Sequence, residues 1–221
     1  MNIEQARFKM IEQQIRPWDV LDQDVLDLLV IVKREDFVPT AYKALAFADA
    51  EIPLPSGENM LTPKMEARIL QELKVKKHEH VLEIGTGSGY MAALLAYKAR
   101  HVTTIEIDPT LKELAAKNLA DYGVTNVDVI QGDGAQGWTG AGKDSGPYDV
   151  IVVSGSLPML PPAFLAQLKI GGRLFVVVGD APAMTAQVIS RVSDTGYNTT
   201  RLFETVIKPL HGVLQASNFT F

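Results

Sequence analysis

Val81-Leu82-Glu83-Ile84-Gly85-Thr86-Gly87-Ser88-Gly89-Tyr90 is an apolar run that breaks into three alternating glycines and then resumes as a second apolar segment. This order predicts a strand, a tight turn and a helix. Gly85, Gly87 and Gly89 remove side chains where the backbone must bend and where a flat, nucleoside-like ligand can approach the main chain. The spacing narrows the ligand further. A dinucleotide fingerprint needs its third glycine one place later, where this chain has Tyr90, and no Gly-Lys-Ser/Thr follows to hold phosphates and magnesium. A glycine-rich strand-to-helix turn can also be purely structural, so the residues downstream have to decide.

Downstream of the glycines the pattern alternates. Helices are predicted at 91–99, 109–122 and 161–168, and strands at 102–107, 127–131, 148–154 and 172–178. Strand-helix alternation of this kind implies an α/β, doubly wound, mostly parallel sheet with right-handed crossovers, and such sheets bind ligands beyond the carboxyl ends of their strands. From about residue 187 to 221 strand-like runs such as Thr205-Val206-Ile207 suggest closing antiparallel strands, and residues 139–147 read as a glycine-rich surface loop.

Two acids fall where the strand-end rule puts ligand contacts. Glu106, in Thr104-Ile105-Glu106-Ile107-Asp108, can accept from both hydroxyls of a ribose; Asp108 competes for that role but also fits as the cap of a helix opened by Pro109. Asp133, in Gln131-Gly132-Asp133-Gly134, can accept from an adenine amino group while the glycines admit the ring, or can belong to an ordinary Asp-Gly turn. Two acids at successive strand ends, both following the glycine loop, are more specific than either alone.

Residues 1–60 have a different texture and read as a helical extension and lid, with 61–221 as a single compact domain. Phe8, Ile11 and Ile15 share a predicted helical face, as do Val25, Leu29 and Val32 after a cap at Asp22. The segment from Phe37 to Gly57 is a long irregular connection of the kind that often carries function. Thr62-Pro63 then opens a helix, with the hydroxyl expected at the cap.

Composition excludes several classes. With 21 Lys plus Arg against 26 Asp plus Glu, the formal charge of -5 lacks the basic footprint of a nucleic-acid binder. The absence of cysteine removes disulfides, thiolate metal sites and cysteine nucleophiles. His78 and His80 could be called a metal pair, but with only Glu79 between them and no thiol they read as solvated loop, so no metal is expected. The amino terminus lacks the order of a secretory signal and no apolar run reaches membrane-spanning length, so the expectation is a soluble, cytoplasmic protein without a membrane partner.

Gly-x-Gly-x-Gly with Glu83 just upstream resembles the first motif of the S-adenosylmethionine-dependent methyltransferases. Adding Ile105-Glu106, Gly132-Asp133-Gly134, Gln167-Leu168, Gly171-Gly172-Arg173-Leu174 and Arg34-Glu35-Asp36-Phe37-Val38-Pro39, with Ala48-Asp49 and Ile52-Pro53-Leu54, the chain is similar over nearly its whole length to the protein-L-isoaspartate O-methyltransferase family. The resemblance implies a Rossmann-like methyltransferase fold, S-adenosyl-L-methionine as cofactor, and methylation of the carboxylate of isoaspartyl residues in damaged proteins or peptides, beginning their repair. It also implies a cofactor site at Glu83, Gly85, Thr86, Gly87, Gly89, Glu106, Ile107, Asp133 and Gly134.

The chain departs from the family on the acceptor side. Where the family carries Gly-Gln-Thr-Ile-Ser-Gln-Pro, with the serine near the reacting centre, this chain has Gly57-Glu58-Asn59-Met60-Leu61-Thr62-Pro63, so Leu61 stands in place of the serine. Thr62 offers a hydroxyl one residue later, as a catalytic candidate or, by the cap argument, as a structural residue. A closing Phe-Val-Pro-Leu motif is altered to Ile207-Lys208-Pro209-Leu210, preceded by Val206. These changes leave open a methyltransferase for another acceptor, or a catalytically silent domain that binds the cofactor.

Overall fold

The computed structural model describes residues 2–140 and 146–214. In chain order, α1 (Ile3–Met10) runs on through a wide turn at Ile11–Ile15, and α2 (Gln23–Ile31) follows. The two-residue strands β1 (Ile52–Pro53) and β2 (Asn59–Met60) form a small hairpin before α3 (Pro63–Leu73). Then come β3 (His80–Ile84), α4 (Tyr90–Lys98), β4 (His101–Glu106), α5 (Pro109–Asp121) and β5 (Val127–Gln131). The chain continues through β6 (Tyr148–Leu157), α6 (Pro162–Ala166), β7 (Leu168–Val178), β8 (Met184–Arg191) and β9 (Tyr197–Thr205).

Seven strands make one sheet in the order β5-β4-β3-β6-β7-β8-β9. The pairs from β5 to β7 are parallel and the last two are antiparallel, as the alternating pattern and the strand-like tail predict. Strand order reverses between β3 and β6, which places a crevice at the carboxyl ends of those two strands. Successive residues of the central strands point to opposite faces, and both faces are covered. Val81, Val150, Val152, Phe175 and Val177 join the core under α4, α5 and the amino-terminal helices, while Leu82, Ile151, Val153, Leu174 and Val176 pack with Phe164 of α6 on the other side. Burial on both faces is why these strands read as unbroken apolar runs.

Several expectations shift. Phe8 is 64% exposed and is not part of the core. The inward stripe of the first helix is instead Arg7, Met10, Ile11 and Ile15, because Arg7 is drawn inside by an ion pair with buried Glu35. The last predicted helix shortens to α6, and β7 starts four residues earlier than expected. A register shift and a positive φ of 82° at Gly171 let that strand run on through its glycines. Val206 and Ile207 lie past the end of β9. The 139–147 loop lies partly outside the described residues, as does the end of the 187–221 tail.

The two helix caps differ in a testable way. Asp22 accepts from the Asp24 N–H at 3.0 Å. Thr62 occupies the cap position of α3 with extended dihedrals, but its hydroxyl makes no capping hydrogen bond, contrary to the sequence expectation. Asp22→Ala is therefore expected to cost about 1 kcal/mol in urea denaturation, and Thr62→Ala to stay within about 0.5 kcal/mol. Equal losses would show that the Thr62 hydroxyl caps in solution.

Candidate active site

A cleft of about 680 Å³ opens at the reversal point, with walls from the glycine loop, the ends of β4, β5 and β6, the β1–β2 hairpin and residues 208–211. The end of β3 turns sharply into α4. Gly87 and Gly89 take φ of 55° and 85°, a region that side chains avoid. At Gly89 a Cβ would also meet Leu119 at 3.2 Å and the Ala115 carbonyl oxygen at 3.3 Å, so this glycine serves the close packing of the α4 entry against α5.

Glu106 ends β4 and is fixed from two sides. Gly87 N–H donates to its Oε2 at 2.9 Å and Asp108 N–H donates to its Oε1 at 3.1 Å. Each oxygen can accept a further hydrogen bond, and the residue lines the cleft. Asp108 itself accepts from Leu111 N–H at 2.9 Å, caps α5 and lines neither cavity. Those bonds hold its carboxyl below the usual range.

Across the cleft, Asp133 accepts from Ala135 N–H at 2.9 Å in the turn that the sequence also allowed, and still lines the wall. A Cβ at Gly134 would lie 2.7 Å from Cδ1 of Ile84, so this position must be bare for the turn to lie flat on the cleft floor. Gly85, Gly87, Glu106, Ile107, Asp133 and Gly134 thus converge on one cavity. Carboxylate acceptors in facing walls, a bare glycine floor and flanking Ile84, Ile105 and Leu111 fit an adenosine group.

The remaining sequence candidates lie elsewhere. Thr86 lines a second, adjoining cavity of about 310 Å³. Gly89 and Thr62 line neither space. Glu83 is fully buried behind the loop, where its carboxyl accepts from the hydroxyls of Thr104 at 2.6 Å and Ser154 at 3.1 Å. Burial pushes it up to about 8, so it is held largely protonated at neutral pH. Thr104 also pairs with Thr86 at 2.7 Å, which ties the glycine loop to the ends of β4 and β6. Glu83 is therefore a support of the loop, while Ser154 faces both cavities.

The altered closing motif forms a strap over the cleft. Ser156 N–H donates to the Lys208 carbonyl at 2.8 Å, and Leu210 N–H donates back to the Ser156 carbonyl at 3.0 Å. Leu210 then packs on Gly85 and Gly155. From the strap, the Lys208 ammonium donates to the Gly57 carbonyl, and His211 Nε2 lies 2.9 Å from Glu58 Oε1. Strap and hairpin meet above the cleft.

The hairpin is anchored from below. Arg34, 1% exposed, pairs with Glu66 of α3, donates to the Leu61 carbonyl at 2.7 Å and lies 5.3 Å over the Tyr90 ring. Burial raises the Glu66 carboxyl, and Arg34 is the group that opposes the rise. Sequence reasoning missed this pair, although a signal was there: Glu66 interrupts the otherwise apolar stripe of Ile69, Leu70 and Leu73.

Among the described residues there is no group of three or more His, Cys, Asp or Glu that could hold a metal ion, and no helix long and apolar enough to cross a membrane. The family model of protein-L-isoaspartate(D-aspartate) O-methyltransferase matches residues 5–213. A protein-L-isoaspartate O-methyltransferase of Koribacter versatilis is 38% identical over 206 residues, covering 93% of this chain and 90% of its own. One of Rhodopseudomonas palustris is 40% identical over 204 residues, 92% of both chains. In fold, the chain matches a Plasmodium falciparum structure described as a protein-L-isoaspartate O-methyltransferase in complex with S-adenosyl-L-homocysteine, with a TM-score of 0.79 at 19% identity over 95% of this chain and 98% of that one. With the match running from the first helix to the strap, the chain belongs to the protein-L-isoaspartate(D-aspartate) O-methyltransferase family.

Proposed function

We propose that the protein transfers a methyl group from S-adenosyl-L-methionine to the free carboxylate of isoaspartyl residues in damaged proteins or peptides of the cytoplasm. The observation that carries this reading is Glu106, held by Gly87 and Asp108, able to accept further hydrogen bonds and lining a nucleoside-sized cleft floored by Gly134. Glu106 would accept from the ribose hydroxyls and Asp133 from the adenine amino group. The second cavity, which shares Asn59, Leu61, Gly85, Gly87 and Ser154 with the first, would take the amino-acid end. Residues 1–60 would supply the lid, a reading supported by Leu54 lying against Gly87 and by Glu58 and Asn59 in the cleft wall.

When bound, the cofactor supplies a methyl group activated on a sulfonium. A carboxylate with a pKa near ~4 is already ionised at neutral pH, so no side chain of the site would have to remove a proton from the acceptor. What remains for the protein is alignment and exclusion of water. The strap and hairpin close the cleft on the solvent side, and apolar Leu61 and Leu210 line the space.

A second reading keeps the methyl transfer and changes the acceptor. Its support is Leu61, 8% exposed and in the cavity wall, where a hydroxyl would be expected for the usual substrate. Labelled methyl transfer to an isoaspartyl peptide and to its normal aspartyl twin separates the two. Labelling of the isoaspartyl peptide alone is expected; equal labelling, or none while S-adenosylhomocysteine still binds, would favour the second reading or a silent binding domain.

A further inference from the structure

The two cavities adjoin, and Asn59, Leu61, Gly85, Gly87 and Ser154, each of which lines both, form the neck between them. If the cofactor lies across both spaces, as the proposed function has it, the reacting sulfur sits near this neck, and so must the attacking carboxylate. The neck holds two polar side chains. Ser154 is engaged, with its hydroxyl donating to buried Glu83 at 3.1 Å. Leu61 can offer only hydrocarbon, and its carbonyl is taken by Arg34.

Asn59 is the uncommitted group. Its Oδ1 is buried without a hydrogen-bond partner, and its Nδ2 makes one long contact, 3.4 Å, with the Met60 carbonyl. A desolvated amide oxygen with no donor is unfavourable, so a small rotation that brings the carboxamide to a ligand in the neck gains a bond and gives up little. The hairpin pairing of Asn59 with Pro53 fixes the backbone from which it turns.

We propose that Asn59 is the specificity-determining residue for the acceptor, taking the isoaspartyl group through a two-point contact; this rests on the isoaspartyl reading above. In an isoaspartyl residue the free carboxylate and the peptide N–H sit on the same carbon, so a donor and an acceptor stand side by side. A carboxamide is the complement: Oδ1 accepts from the N–H and Nδ2 donates to the carboxylate oxygen that does not attack. In a normal aspartyl residue the carboxylate is one carbon further from the N–H, and the two points no longer match. Asn59 in this way supplies the hydrogen bonding that Leu61 cannot.

The test pairs a variant with a substrate change. Steady-state methylation is measured for wild type and Asn59→Ala with an isoaspartyl peptide and with the same peptide N-methylated at the isoaspartyl nitrogen. S-adenosylhomocysteine affinity is measured alongside by calorimetry. Expected results are a fall of about tenfold or more in kcat/KM for Asn59→Ala, the size of one lost hydrogen bond to a charged group, with S-adenosylhomocysteine affinity within about twofold. N-methylation should slow the wild type and leave Asn59→Ala without further loss, because the two changes remove the same contact. Asn59→Asp, which sets a carboxylate against the acceptor, should fall below Asn59→Ala. Additive losses, unchanged kcat/KM, or a loss confined to cofactor affinity would each overturn the assignment while leaving the isoaspartyl reading in place. A wild type that methylates neither peptide would remove both together.

Discussion

Arg34→Met is expected to lower folding stability by about 3–5 kcal/mol, because it leaves the Glu66 carboxyl buried without its counter-charge. Arg34 and Glu66 are 1% and 3% exposed, so water cannot replace the missing partner. The double variant Arg34→Met/Glu66→Leu should recover most of this loss, since an apolar pair of similar volume avoids the desolvation of both ions. Recovery should fall short by about 1–3 kcal/mol, the cost of the Leu61 carbonyl that Arg34 no longer satisfies. Urea denaturation of the two single variants and the double variant gives the coupling directly; additive losses would show that the two residues act independently. The single variant should also respond to pH in a defined direction. Burial raises the folded-state Glu66 carboxyl, and the raise grows once Arg34 is gone. A group raised in the folded state contributes stability that is present at low pH and lost as pH climbs from the unfolded value through the folded one. Arg34→Met should thus weaken from about pH 5 upward, and the double variant should not.

The second large effect is on the cofactor. Glu106→Ala is expected to weaken S-adenosylhomocysteine binding by about 1.5–3 kcal/mol, or about 10- to 150-fold, through loss of charge-assisted hydrogen bonds to the ribose. Because the same carboxylate also holds Gly87 N–H and Asp108 N–H, the substitution frees two backbone donors at the cleft edge. Glu106→Gln separates the two contributions: it keeps one oxygen for the loop and presents a donor where an acceptor is needed. Calorimetric titration of both variants checks this. Unchanged affinity in Glu106→Ala would show that another group holds the ribose.

These two predictions mark where the sequence could be read and where it could not. That Glu106, Asp133, Gly85, Gly87 and Gly134 meet at one cleft was legible because their signals are local: an acid or a bare position at the end of an apolar run carries its meaning within ten residues. The parallel sheet was legible for the same reason, from the alternation of strand and helix. Arg34 and Glu66 were not, since they are separated by 32 positions and each looks like an ordinary surface charge until the fold brings them together. Glu83 misled in the opposite way. Its place beside the glycines suggested a ligand contact, but a strand residue adjacent to a loop points in or out by parity, and Glu83 points inward to Thr104 and Ser154. Thr62 misled through its position alone, since a residue type suited to capping need not place its hydroxyl on the amide. The strap was seen only as an altered motif. Its place over the cleft depends on pairing with Ser156, which no spacing within 206–211 encodes.

The strap has a kinetic consequence. Its ties to the hairpin, Lys208 to Gly57 and His211 to Glu58, join residues 151 and 153 positions apart, whereas β3, β4 and β5 are linked through neighbouring helices. Contacts of such separation repay their loop-closure entropy only after the intervening chain is ordered. During refolding, the glycine loop and Glu106 should therefore assemble before the cleft has its outer wall. Recovery of tight ligand binding should lag behind recovery of helical circular dichroism, and ligand added early should meet a half-built, solvent-open floor.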